Sequence, residues 1–348
     1  MLTDLAGSTE MDYEPDVRAA LARMGLVDAG TKIRLTALTG GVSSRILLAE
    51  TDDARFCFKQ ALSKLKVRAD WYAPVTRIRA EVAWMGAANA LLPSITPMIL
   101  GEDRKSESFA MAYLEPTEHP LWKACLQAGS AAPDVAVAAG RVLLTIHAAT
   151  AGRRDIADAF ANADQFHSLR TGPFLLTAAT ANHSVSAELR AIAAQLDATT
   201  IALVHGDYSP KNILLGGPQG IVVLDAECAT YGDPAFDLAF CLSHLLLKAI
   251  AYPAHEAIAI RSFVAMADVY RSGITWESAS SFEQRLARLL PALMLARVDG
   301  KSPVEYLDEP SRDIVRRYTR AALLAPNPTI DLLLSSWTEE VCARRWPK

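Results

Sequence analysis

Three polar residues within one stretch have the types and spacing for a single reaction. Across residues 203–240 the chain reads L-V-H-G-D-Y-S-P-K-N-I-L-L, then V-V-L-D-A-E, then Y-G-D-P-A-F-D-L-A-F. Asp207 and Asn212 sit five residues apart, so one predicted loop can present both at the same place. Asp225 follows Ile221-Val222-Val223, whose β-branched side chains predict a strand ending at that place. Phosphoryl transfer needs a carboxylate beside the attacking hydroxyl, ligands for Mg2+ and cations along the phosphates. A carboxylate and an amide oxygen form a hard-oxygen set suited to Mg2+, which keeps water and substrate phosphates as its other ligands. One ion and one reaction thus account for Asp207, Asn212 and Asp225. Taken singly, each piece has an ordinary alternative: a polar turn around Pro210, or a loop closure at G-D-P before a helix near Phe236.

The elements that must position these residues fall into two groups. Residues 15–24 predict a short helix with Val17, Leu21 and Met24 on one face. Residues 32–38 and 44–50 read as strands flanking a turn at Gly40-Gly41, and residues 55–60 alternate as a third strand after the turn chemistry of Asp52-Asp53. A helix is expected over 76–90, with Pro93 and Pro97 beyond it, and an apolar strand over 108–114. After Glu115-Pro116 the pattern turns helical, over 131–150, 186–198, 236–251, 254–271 and 280–298, with two short strand-like pieces near 213–215 and 221–224. Residues 1–27 are expected to be an extension with a helix, 28–114 a small strand-rich lobe and 115–348 a larger helical lobe.

The motif H-G-D-x-x-x-x-N, followed by L-D-x-E and G-D-P-x-x-D-L-A, resembles the aminoglycoside phosphotransferase and choline kinase-like (APH) family. The resemblance runs from about residue 30 onward in outline and is specific over 203–240. It implies an α+β, bilobal protein-kinase-like fold, with a small antiparallel-sheet N-terminal lobe and a larger, mainly helical C-terminal lobe. It also implies a kinase that uses ATP or GTP and Mg2+ to phosphorylate a small-molecule hydroxyl. Asp207 would be the catalytic base, Asn212 and Asp225 would hold Mg2+, and His205 and Asp237 would buttress the catalytic loop. Glu227 falls where related kinases also carry an acidic residue.

The strand-rich lobe is expected to hold the nucleotide. In Gly40-Gly41-Val42-Ser43-Ser44, glycine permits close approach, while backbone N–H groups and serine hydroxyls can donate to phosphate oxygens. Gly41, Ser43 and Ser44 are the candidates, although a Gly-Gly pair between strands is also an ordinary turn. Lys59, centred in F-C-F-K-Q-A, matches the family's phosphate-binding lysine, and Glu81 in R-A-E-V-A-W-M is its expected partner. Glu81 could instead pair with Arg77 or Arg79 along its helix. Met111 is expected to line the adenine pocket, with Ala112 and Leu114 offering a carbonyl and an N–H. His147 reads as a packed core residue. Residues 296–307 could supply acceptor contacts through Arg297, Asp299 or Lys301. The favoured reading is a helix junction, with a stop at Asp299-Gly300 and a start capped by Ser302.

Bulk properties exclude several other classes. The 348 residues are 51% hydrophobic and 21% charged, a composition that folds, and the length allows two lobes. A net charge of −4 with dispersed cations gives no grip on nucleic acid. The five cysteines form no C-x-x-C pair, so a reducing cytoplasm is expected. The apolar run 238–252 is interrupted by Ser243, His244 and Lys248, and no membrane span is expected from it. Leu224-Asp225-Ala226 runs almost directly into G-D-P, which argues against a protein kinase with its D-F-G and A-P-E motifs. A non-catalytic nucleotide-binding module is the rival, but it would not need Lys59, Asp207, Asn212 and Asp225 together. A methylthioribose kinase-like sugar kinase is a further alternative, although that subfamily lacks the asparagine that Asn212 supplies. The acceptor and the oligomeric state are not readable at this level.

Overall fold

The computed structural model describes residues 14–28, 30–38, 43–66 and 71–345. The chain divides into two compact units: Met1–Val82 with Pro97–Glu115, and Ala83–Thr96 with Pro116–Lys348.

The first unit holds helix α1 (Glu14–Arg23), strands β1 (Arg34–Ala37), β2 (Ser44–Glu50) and β3 (Arg55–Ala61), the start of helix α2 (Arg77–Leu91), and strands β4 (Ile99–Asp103) and β5 (Ser108–Ala112). The strands form one antiparallel sheet in the order β1-β2-β3-β5-β4. Strand side chains alternate between faces, which gives β3 two characters. Phe56 and Phe58 join Leu47, Ala49 and Ala110 in a core with Val17, Ala20 and Leu21 of α1. Cys57 and Lys59 therefore point to the opposite face. Arg23 clamps α1 to β4 through both oxygens of Asp103, at 3.0 and 2.7 Å.

The second unit is built on helices. In chain order it contains α3 (Trp122–Ala128), α4 (Pro133–Thr150), α5 (Arg154–Ala159), α6 (Ala163–Phe166), a π-helix (His167–Leu176), α7 (Thr177–Ala181) and α8 (Ser186–Ala198). Four three-residue strands follow, β6 (Ala202–Val204), β7 (Ile213–Leu215), β8 (Ile221–Val223) and β9 (Thr230–Gly232). Helices α9 (Pro234–Ala251), α10 (Glu256–Arg271), α11 (Ala279–Asp299), α12 (Glu309–Leu324) and α13 (Ile330–Arg345) complete it. Strand β7 pairs with β8, and β6 with β9, so the segment that carries the H-G-D and L-D-A-E motifs is threaded through two small antiparallel ladders.

Helix α9 begins on Asp233, whose carboxylate accepts from the Ala235 N–H at 3.0 Å, with Pro234 in the first turn. It packs against α4, α10 and α11. By length and composition α9 could cross a membrane, contrary to the expectation from its polar interruptions, but 94% of it is buried inside the protein.

Several elements differ from the sequence expectation. Strand β4 spans residues to which no element was assigned, because Gly101, Glu102 and Asp103 carry no strand signal. β6, β9 and the short helices α3, α5, α6 and α7 are too brief to show a period. The expected helix start at Ser302 is wrong. Helix α12 starts at Glu309 on the cap Asp308, whose carboxylate accepts from the Ser311 N–H at 3.0 Å. Residues before it satisfy their backbone otherwise: Val304 N–H donates to the Arg297 carbonyl at 2.8 Å, and Arg312 donates to the carbonyls of Val304 and Leu307 at 3.1 Å each. The helix stop at Asp299 is as expected. The strand expected over 108–114 ends at Ala112, so Leu114 lies beyond it.

Candidate active site

In the first unit, the alternation of β3 sends Lys59 toward α2, where Glu81 meets it. Lys59 Nζ lies 2.7 Å from both Glu81 carboxylate oxygens, and both side chains are 2% exposed. A buried ion pair with this geometry fixes the ammonium at one point. Arg79 turns instead to Glu107, bonding its Oε2 at 3.0 Å. Arg77, fully buried, donates to the carbonyls of Leu62 and Pro74 at 2.8 Å each and also to that of Ser43. Ser43 and Ser44 are both buried, and Ser44 Oγ has no hydrogen-bond partner among the described residues. Gly41 lies outside the described residues. Met111 is buried opposite Cys57 in the ladder, and the Ala112 N–H is spent on the Met98 carbonyl at 2.8 Å.

In the second unit, the segment after β6 is held by a dense set of bonds. Asp237, fully buried on α9, accepts the His205 N–H at 2.6 Å and the Gly206 N–H at 2.8 Å, one on each carboxylate oxygen. His205 Nδ1 accepts the Asp207 N–H at 3.1 Å, so Nε2 carries the proton and donates to the Leu224 carbonyl at 3.0 Å. Burial lowers the His205 pKa against the pull of Asp237 and its neighbours, which keeps the ring in this neutral form. One imidazole thus ties the H-G-D turn to the end of β8, next to Asp225. Its ring also meets Trp84 edge-on at 4.8 Å. Gly206 has φ 77°, and a Cβ there would stand 2.6 Å from the Cys228 carbonyl oxygen, so the turn requires glycine. His147 is fully buried, bonded to Tyr270 Oη at 2.6 Å, in keeping with a core role.

Asp207 is 3% exposed and surrounded by donors. Asn212 Nδ2 donates to the Asp207 carbonyl and to its Oδ2, 3.0 Å each. Both of these partners are acceptors, so the amide nitrogen must face them, and Asn212 Oδ1 is turned the other way. Lys211 Nζ lies 2.8 Å and Arg170 Nη2 3.2 Å from Asp207 Oδ2. Burial raises the Asp207 pKa, but the two cations outweigh it even with Asp225 nearby, and the net shift is downward. Asp207 is therefore an ionised, hydrogen-bonded carboxylate.

Asp225 follows β8 and has φ 68°, a left-handed conformation that is uncommon for a residue with a side chain. The Leu224 N–H donates to the Asn212 carbonyl at 2.9 Å, which binds the Asp225 turn to the Asp207–Asn212 loop. Glu227 is buried, and its carbonyl accepts from Gln165 Nε2 at 2.8 Å. The structure thus brings Asp207, Asn212, Asp225, His205 and Asp237 into one bonded assembly.

Sequence reasoning missed Arg170. It comes from the π-helix, is 6% exposed, donates through Nε to the Gly206 carbonyl at 2.5 Å and faces the Phe174 ring at 5.4 Å. No helix was expected there, and Gly172-Pro173 inside it disfavours a regular one. Asp299 and Lys301 serve the helix junction: Asp299 bonds Arg316 and Asn182 at 3.0 Å each, and the Lys301 N–H bonds the Pro173 carbonyl at 2.9 Å.

No group of three or more His, Cys, Asp or Glu side chains able to hold a metal occurs among the described residues. The Asp225 carboxylate and the Asn212 amide oxygen fit a Mg2+ that draws its remaining ligands from phosphates and water.

Residues 34–257 match the model of the phosphotransferase enzyme family (APH). The chain belongs to that family, and with that membership it is a phosphotransferase. No curated protein matches it. Among solved structures, the amicoumacin kinase hAmiN, determined with AMP-PNP, Ca2+ and Ami, is 12% identical over 84% of this chain and 89% of that one, with a TM-score of 0.52. Choline kinase LicA from Streptococcus pneumoniae is 13% identical over 84% and 94%, with a TM-score of 0.46. Macrolide 2'-phosphotransferase MphH from Brachybacterium faecium is 19% identical over 90% and 98%, also at 0.46. At these identities the likeness concerns the fold alone. The expected α+β organisation, an antiparallel N-terminal sheet followed by a helical part in a protein-kinase-like family, is borne out.

Proposed function

We propose that this chain transfers the γ-phosphoryl group of ATP or GTP to a hydroxyl of a small molecule. The observation that carries the reading is the bonding that ties Asp207 to Asn212 and their loop to the turn that carries Asp225. The Asn212 amide nitrogen is spent on Asp207, and the Asn212 carbonyl holds the residue before Asp225.

On this reading Asp207 accepts a hydrogen bond from the acceptor hydroxyl and aims its oxygen at the γ-phosphorus. Lys211 and Arg170 keep Asp207 a weak base, so orientation comes first and the proton moves late, as suits a loose transition state. The new O–P bond forms as the bond to the β-phosphate oxygen breaks. That oxygen leaves with the electron pair, giving a nucleoside diphosphate and a phosphomonoester, and the hydroxyl proton passes to Asp207 and then to water. Asn212 Oδ1 and the Asp225 carboxylate would hold Mg2+, which when bound would neutralise charge on the phosphates. Lys59, fixed by Glu81, would offer its ammonium to the α- and β-phosphates, with Ser43, Ser44 and Gly41 donating nearby. Met111, Ala112 and Leu114 are assigned to adenine recognition, and His205 and Asp237 to support of the loop.

The test is a coupled ADP-release assay with MgATP or MgGTP. It runs across aminoglycosides, amino alcohols, sugars and hydroxy acids, with Asp207→Asn as control. Acceptor-dependent release that the control lacks supports the reading. If neither acceptor-dependent release nor Asp207-dependent ATP hydrolysis occurs, a non-catalytic nucleotide-binding module takes its place.

A further inference from the structure

Helix α9 carries a lysine where its packing calls for an apolar side chain. Lys248 is 3% exposed, yet its Nζ makes no hydrogen bond among the described residues. Its contacts are the faces of Tyr306, 4.6 Å away, and Tyr252, 5.4 Å away. Cation–π contacts offset part of the cost of burying an ammonium, but they leave its three donors unused.

Two neighbours share this condition. His244, one turn earlier on α9, is 5% exposed, and its Nε2 is also without a partner among the described residues. Its Nδ1 is 3.4 Å from Tyr306 Oη. Arg297, on α11, donates to the Ser302 carbonyl, but its buried Nε finds no acceptor among the described residues. Three buried nitrogens from two helices therefore gather around one tyrosine without an acceptor.

Direct contacts link this cluster to Asp207. Arg297 and Arg170 both face the Phe174 ring, each at 5.4 Å, and Arg170 reaches Asp207. From the other side, the Lys123 N–H of α3 bonds the Pro210 carbonyl at 2.8 Å. The α3 residue Gln127 bonds Tyr252 Oη at 2.6 Å. The charges around the cluster are mostly positive. Lys123, Lys211, Lys248 and Arg297 all act on His244, while Asp207 and Glu305 are the carboxylates that act on Arg297. A cationic acceptor would meet this field as a like charge. A carboxylate or phosphate would supply the missing acceptors and be held by charge-assisted bonds.

We propose that Lys248, with His244, Arg297 and the Tyr252 and Tyr306 rings, binds an anionic oxygen group, carboxylate or phosphate, carried by the hydroxyl acceptor. The inference rests on the reading of Asp207 as the residue beside the acceptor hydroxyl. It names the substrate class as hydroxy acids or phosphorylated alcohols, and it sets aside aminoglycosides and amino alcohols such as choline.

The experiment compares matched acceptors that differ in the anionic group: glycerate, glycerol 1-phosphate and glycerol, and gluconate, glucose 1-phosphate and glucose. ADP release is measured with the wild type, Lys248→Met and Lys248→Arg. In parallel, calorimetry titrates the full chain with glycerate and with inorganic phosphate. The expected result is kcat/KM at least ten-fold higher for an anionic member than for its neutral partner. Lys248→Met should raise KM about ten-fold or more with a smaller change in kcat, Lys248→Arg should partly restore it, and calorimetric binding should weaken in parallel. Carboxylate and phosphate members tell the two anions apart. Turnover confined to the neutral acceptors, or anion binding that Lys248→Met does not weaken, overturns the proposal. Acceptor-free ATP hydrolysis lost in Asp207→Asn tests the kinase reading separately. If it is absent while Lys248-dependent anion binding persists, the kinase reading fails and the anion site stands.

Discussion

Arg170 and Asp207 are joined across a long sequence interval by a buried contact of 3.2 Å, from guanidinium Nη2 to carboxylate Oδ2. The same guanidinium holds the Gly206 carbonyl, so a π-helix residue braces the turn and the charge of its aspartate together. Runs of π-helix are rare and gather at functional sites. We assign Arg170 as a positioning residue. Arg170→Met should cut kcat/KM about 10- to 100-fold, the scale of a displaced catalytic group. It should also raise the Asp207 pKa, because one of the two cations lowering it is lost. The acid limb of the pH–rate profile then moves to higher pH. A change in stability alone, with that limb unmoved, would leave Arg170 a purely structural role.

Lys59 and Glu81 predict an asymmetry in stability. Glu81→Ala leaves a buried ammonium without its counter-charge and should cost about 3–5 kcal/mol. Replacing both residues with methionine should cost much less, since no unpaired charge remains. Urea unfolding of the two variants checks this. Equal losses would mean that the pair contributes through packing rather than charge.

On the proposed reading Asp225 holds the metal. Asp225→Ala should remove Mg2+-dependent nucleotide binding while the fold persists, because the residue is only part-buried. Calorimetry with ATP, with and without Mg2+, reads this directly. Unchanged MgATP affinity would sink the metal assignment.

Lys248 predicts a pH dependence with a definite sign. Burial among Tyr252, Tyr306 and His244, with Lys123 adding repulsion, pushes its ammonium down to about 7. As pH rises through about 7, the ligand-free protein loses that charge, so KM for an anionic acceptor should climb above neutrality and level off below it. His244 stays neutral across this range, because its pKa is held well below its usual value by burial and the surrounding cations. The folded pKa is depressed, so between about 7 and the ordinary lysine value of 10.5 the unfolded chain holds more protons. Stability from this group therefore rises with pH over that interval. Lys248→Met should abolish both trends.

Much of this arrangement was legible in the sequence because it depends on local order. Asp207, Asn212 and Asp225 lie on one short segment, and H-G-D, L-D-A-E and G-D-P follow one another as the small ladders require. Lys59 and its partner Glu81 were expected from the family resemblance, and the apolar strand neighbours Phe56, Cys57 and Phe58 agreed with it. Arg170 and Lys248 were not legible, for different reasons. Arg170 acts across sequence distance from a helix that Gly172-Pro173 disfavours and whose period is not 3.6. Lys248 looked only like a break in an apolar run, and the tyrosines that face it come from a loop after α9 and another after α11. The false helix start at Ser302 came from a good local cap that lost to Asp308, since Arg297 and Arg312 already satisfy the intervening backbone.

On the proposed reading Asp207 acts in the transfer step itself. The direct measurement is a single-turnover assay with γ-labelled ATP, comparing wild type and Asp207→Asn, with MgATP affinity of both by calorimetry. The variant's transfer rate should fall about 10²- to 10⁴-fold while nucleotide affinity stays nearly intact, because the base acts chiefly in the transition state. Wild-type transfer by the Asp207→Asn protein, or a loss traced entirely to nucleotide binding, would contradict it.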